Sequence, residues 1–169
     1  MLPNAERAGR TFETVMNAAK DVPVDVNKFS APVLRAKQLN AVAGDPMAPV
    51  LRKTLAKIGP TTEPLTYGDS RILASSAGRK AQQTAMGGKL TGEMGKRLSE
   101  TATGLDAANA EAAAKAGVGD KYLDAMKEYR NAKRLEKVGD VAKKVAVTGA
   151  LGGGLYEGGK YAIRKALGQ

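Results

Sequence analysis

The chain has 169 residues and a net charge of +10, from 27 basic and 17 acidic side chains. It contains no histidine and no cysteine, which removes disulfides, the usual soft metal ligands and the commonest general base. With two Phe, five Tyr and no Trp, Ala and Gly must fill the interior, so burial per residue is expected to be low, in one modest domain or in an array of helices that completes its core inside an assembly.

The first region, residues 1–60, reads as short helices. Met1 to Gly9 lacks the apolar core of a secretory signal, so a cytosolic product, or one delivered by another route, is expected. Asn4 is a plausible N-cap for a helix whose positions Ala5, Ala8, Phe12, Val15, Met16 and Ala19 keep three-and-four spacing to an end near Lys20. Asp21 to Phe29, with Pro23, reads as an extended connector. Ser30 caps a second helix with Pro32 in its first turn and Val33, Leu34, Leu39 and Val42 as its apolar positions, stopping at Gly44. Asp45 caps a third with Pro46 first, an apolar stripe of Met47, Val50, Leu51, Leu55 and Ile58, and a stop at Gly59 and Pro60.

Residues 61–88 read as a helix and a glycine linker. Thr66 and Asp69, preceded by Leu65, form the pattern of a capping box, and the helix runs to about Ala85 before Gly87 and Gly88. Residues 89–144 read as a long antiparallel hairpin. Leu90, Met94, Leu98, Thr101, Leu105, Ala108 and Ala112 fall on one seam, while Gly92, Gly95 and Gly104 each cost that helix about 1 kcal/mol relative to Ala. Ala116 to Asp120 is a reversal, and Leu123, Met126, Tyr129, Ala132 and Val138 of the last helix are expected to face the helix before it. The fold class is all-α, with five to six helices and a Gly/Ala-rich C-terminal helix; nothing alternates like a strand over a useful length.

Two features carry functional expectations. In the basic tail, residues 145–169, small residues recur at close helical spacing. Ala146, Gly149, Ala150, Gly153, Gly154, Gly158 and Ala162 would let another helix or a bilayer approach the backbone. The longest uncharged run there, Val145 to Tyr156, has 12 residues, short of the roughly 20 that a spanning helix needs. The second feature is the basic face of the sixth helix. Lys127, Arg130, Lys133, Arg134, Lys137, Lys143 and Lys144 are candidate phosphate contacts, with Glu128, Glu136 and Asp140 interleaved among them to weaken the field. Residues 121–169 hold 11 of the basic and 5 of the acidic groups, more than half of the surplus. Gly152 to Gly154 lacks the strand before it and the Lys-Ser/Thr ending of a phosphate loop. No catalytic, cofactor-binding or metal-ligating residue is expected, and no small-molecule substrate.

The stretch from Glu63 to Leu73, with Pro-Leu-Thr-Tyr opening a helix, and that from Ala116 to Arg130, with Ala-Gly-Val-Gly-Asp-Lys-Tyr opening the last one, resemble helical proteins of bacteriophage and prophage structural gene regions. The resemblance covers about residues 10 to 135. It implies a virion-associated protein of the internal or DNA-ejection type, made in the host cytoplasm, carried in the particle and acting at the host envelope during infection. Its partners would be copies of itself or other virion proteins, nonspecific DNA and anionic membrane. Two alternatives stand beside it: a capsid or tail component making only protein contacts, and a nonspecific DNA-binding accessory protein.

Overall fold

The structure, a computed structural model, describes the backbone of residues 3–60 and 63–151 and the side chains of residues 6–60 and 63–140. The described residues are all-α: α1 (Pro3–Ala19), α2 (Ser30–Ala43), α3 (Pro49–Ile58), α4 (Tyr67–Ala85), α5 (Gly92–Lys115) and α6 (Gly119–Leu151), with a 3-10 turn at Val26–Lys28. They contain no strand, only one antiparallel bridge between Pro23 and Thr66. Two compact units divide the chain, one of residues 13–122 and one of the described residues before 13 and after 122.

In the unit of residues 13–122, α5 is the central element. Met94, Leu98, Thr101, Leu105, Ala108 and Ala112 are all buried, so the seam read from the sequence is the packed face of this helix. The most extensive pairing in this unit is α4 on α5. The short connection after Ala85 makes the two antiparallel, and Arg71 reaches Asp106 at 3.8 Å across them. One cluster of the core joins Val33 and Ala36 of α2, Val50 and Leu51 of α3, Ala77 of α4, and Met94 and Leu98 of α5. Each fully buried Leu or Met there contributes on the order of 2 kcal/mol.

Gly104 has a purpose that helix propensity conceals. A β-carbon at this position would run into the carbonyl oxygen of Lys28 and the Cα and Cβ of Phe29. The chain entering α2 thus crosses α5 at backbone contact, and Phe29 is fully buried there. The glycine that weakens an isolated α5 is what allows α2 to dock on it.

Several helix starts differ from the sequence expectation, each for a local reason. The third helix begins at Pro49 with Ala48 as N-cap, not at Pro46 behind Asp45. A start at Pro46 would place Pro49 where the first intrahelical N–H should bond to the Asp45 carbonyl, and proline has no such donor. That carbonyl instead accepts from Asn40 Nδ2 at 2.8 Å, and the Asp45 carboxylate accepts from Thr91 Oγ1 at 3.2 Å. The second helix begins at Ser30, with Phe29 as an N-cap that has no side-chain cap bond. In α2, Val33 is buried but Leu34 and Val42 are exposed, Val42 by 88%.

At α4 the N-cap is Thr66, as expected, but its side chain makes no cap bond. The connector after α1 replaces it. Tyr67 N–H donates to Val22 O at 2.8 Å, Gly68 N–H donates to Lys20 O at 3.0 Å, and Val24 N–H donates to Leu65 O at 2.9 Å. The free donors of the first turn are thereby satisfied by another part of the chain. The fifth helix starts later than Lys89, at Gly92, because Thr91 caps it by accepting from Met94 N–H at 3.2 Å.

The reversal after α5 is closed by Gly117 at φ 76°, with Gly117 N–H donating to Ala114 O at 3.0 Å and Val118 N–H donating to Ala113 O at 2.9 Å. These are the two bonds of a Schellman ending, which needs a left-handed residue at this position. Tyr122, just inside α6, is buried. Its ring meets that of Tyr67 edge to face at 6.1 Å, and its hydroxyl donates to Asp106 O at 3.2 Å.

The other unit combines the start of α1 with α6 beyond Tyr122. Arg7 Nε lies 2.9 Å from Glu128, and the rings of Phe12 and Tyr129 meet edge to face at 6.4 Å. Ala8, Ala125 and Ala132 are buried, and such small side chains let two helices approach closely. The Tyr129 ring is thus engaged by α1 within this unit, and Leu123 is 59% exposed.

Candidate nucleic-acid interface

The α6 helix runs without interruption through Gly139 to Leu151, 33 residues in all. Its register follows from the buried residues. At 3.6 residues per turn, Ala125 and Ala132 fix the inward face, and the opposite face carries Leu123, Lys127, Arg130, Arg134 and Lys137 within an arc of about 80°. All five are exposed. From Lys127 to Lys137 the stripe extends about 15 Å.

No acidic residue falls within that arc. Glu128 is tied to Arg7 at 2.9 Å, and Glu136 is tied to Lys133 at 3.5 Å. The acids expected to weaken the basic face thus fall on the other half of the helix, and two of them have cations of their own. Lys127, Arg130, Arg134 and Lys137 enter no ion pair among the described residues. Lys133 is different: its ammonium pairs with Glu136 and lies 5.9 Å from the centre of the Tyr129 ring. The structure therefore divides the sequence-predicted set into a continuous stripe of four and one lysine held off it.

The other predicted residues fall elsewhere. Lys143, Lys144, Ala146, Gly149 and Ala150 lie on the α6 backbone, and their side chains are outside the described ones. Gly153, Gly154, Gly158 and Ala162 lie outside the described residues. What sequence reasoning missed was Arg7: a cation 121 positions away gives no local sign that it will neutralise Glu128.

Comparison of the chain with protein-family models, with curated proteins and with solved structures gave no match.

The remaining chemistry lies in the interior of the larger unit. Burial pushes the Tyr67 hydroxyl up to about 12, with the Arg71 guanidinium opposing and the Asp106 carboxylate reinforcing the shift. Tyr67 Oη, Ser70 Oγ and both polar atoms of the Asn109 amide are buried without hydrogen-bond partners. Among the described residues, no group of three or more acidic side chains is placed to hold a metal ion, and no helix is long and apolar enough to cross a membrane. A shallow groove between α4 and α5 is lined in part by Gly78, Ala81, Ala85, Gly95 and Ala102.

Proposed function

We propose that the chain is a non-enzymatic phage virion protein of the internal or ejection type, which works by contact: its helices pack in an assembly, and it meets the genome or an anionic surface during DNA delivery. The observation that carries this reading is the acid-free stripe of Lys127, Arg130, Arg134 and Lys137, opposite the buried alanines of α6. Such a surface raises the local concentration of a polyanion and neutralises it without reading its sequence. Close helix packing, seen where the chain entering α2 crosses Gly104, supports the assembly part. The sequence resemblance supplies the particle.

Mass spectrometry of purified particles tests this. The reading expects the protein inside them at a reproducible copy number, released together with DNA when ejection is triggered. Recovery only from the soluble host fraction would overturn it. The second reading, a capsid or tail component that makes only protein contacts, is favoured by the shallow α4 and α5 groove, where Gly78, Ala81, Ala85 and Ala102 stand among the polar Gln82, Lys96 and Asp106. It expects the protein to stay with the emptied shell.

A further inference from the structure

We infer that the outward face of α6 binds the phosphates of duplex nucleic acid, through Lys127, Arg130, Arg134 and Lys137 acting as one unit. This deepens the reading above by naming the partner, and it rests on that reading only for which duplex is met. The stripe is about 15 Å long, a length over which one strand of B-form DNA presents about four phosphates. Four cations without competing carboxylates match that charge. The stripe carries only Lys and Arg, with Asn131, the nearest amide, about 40° outside the arc, so backbone phosphates are contacts it can make on any sequence.

Two other polyanionic partners fit less well. A helix lying in a bilayer interface needs a broad apolar face. The exposed apolar side chains of α6, Leu123, Tyr129 and Leu135, are spaced about 120° apart around the helix, so no two share a side. Single strands are held by aromatic platforms that stack the bases. The stripe has no aromatic residue, and the Tyr129 ring is engaged by Phe12 and Lys133.

The experiment measures the affinity of the full chain for a random-sequence duplex of about 30 base pairs across a series of salt concentrations. Each phosphate neutralised contributes about 0.9 to the slope of log K against log salt, so the double variant Arg130→Gln/Arg134→Gln should lower the slope by about 2. Lys133→Gln should leave the slope within error of wild type. Helix content by circular dichroism confirms that each variant is folded, as expected for exposed positions. Equal slopes for wild type and double variant overturn the inference, as does a lack of duplex binding at 50 mM salt. So does binding to anionic phospholipid vesicles that needs the stripe while duplex binding does not. Absence from particles with duplex binding intact would remove the phage reading and leave this one standing.

Discussion

Gly104 and Asn109 show how single residues set the stability of this fold in opposite senses. A methyl group at Gly104 meets backbone, which cannot swing aside, so Gly104→Ala should lower stability by about 3 kcal/mol and Tm by on the order of 10 °C. Gly78, also inside a helix, has open space around its missing β-carbon, so Gly78→Ala should raise stability by about 0.5 to 1 kcal/mol. Thermal melts of the two variants check the pair, and like signs would contradict the crossing of α2 over α5. At Asn109, a buried amide lacks partners on both polar atoms, and such groups cost about 1 to 3 kcal/mol each. Asn109→Leu should therefore be neutral or more stable in urea titrations.

Tyr67 adds a dependence on pH. Its folded hydroxyl titrates near 12 because burial disfavours the phenolate, against about 10 in an unfolded chain. The folded state thus holds its proton where the unfolded state has lost it, and the contribution is complete below pH 10 and disappears as pH rises toward 12. Tyr67→Phe should flatten the alkaline fall in stability by on the order of 2 kcal/mol. Urea midpoints at pH 9 and pH 11.5 for both proteins measure this.

Among the elements, the buried face of α5 was the most legible in the sequence, and the start of α3 and the capping partners of α4 the least. The α5 seam repeats over about five turns, so its period reports the buried face directly, and Met94, Leu98, Thr101, Leu105, Ala108 and Ala112 are buried as read. The starts depend on partners from elsewhere. Thr66 has the right identity for a cap, yet the donors it would satisfy are met by Lys20 and Val22. Asp45 likewise resembles a cap but is committed to Thr91 and Asn40. Thr91 is doubly used, capping α5 and donating to Asp45, so Thr91→Ala should cost about 1 to 2 kcal/mol. Asp45→Ala should cost less, because it leaves the cap of α5 intact. Equal losses in chemical denaturation would contradict this division of roles.

For the whole molecule, the helical spacing of apolar residues showed the all-α class, and the order of charges along the chain the basic C-terminal surplus, but not how that charge is arranged in space. Seven basic residues were candidates on sequence grounds. Only the register fixed by Ala125 and Ala132, together with the pairing of Glu128 to Arg7 and of Glu136 to Lys133, isolates Lys127, Arg130, Arg134 and Lys137 as a continuous surface. The Lys133 and Glu136 pair is visible from its i,i+3 spacing, whereas Arg7, 121 positions from Glu128, is not.

The most direct measurement of the central claim, that the protein acts through this face, is formaldehyde crosslinking of the full chain to duplex DNA followed by peptide mapping. The account predicts that linked peptides concentrate on residues 127–137, well above those bearing the exposed Lys53 and Lys89. Links distributed over all exposed lysines in proportion to their number would contradict it.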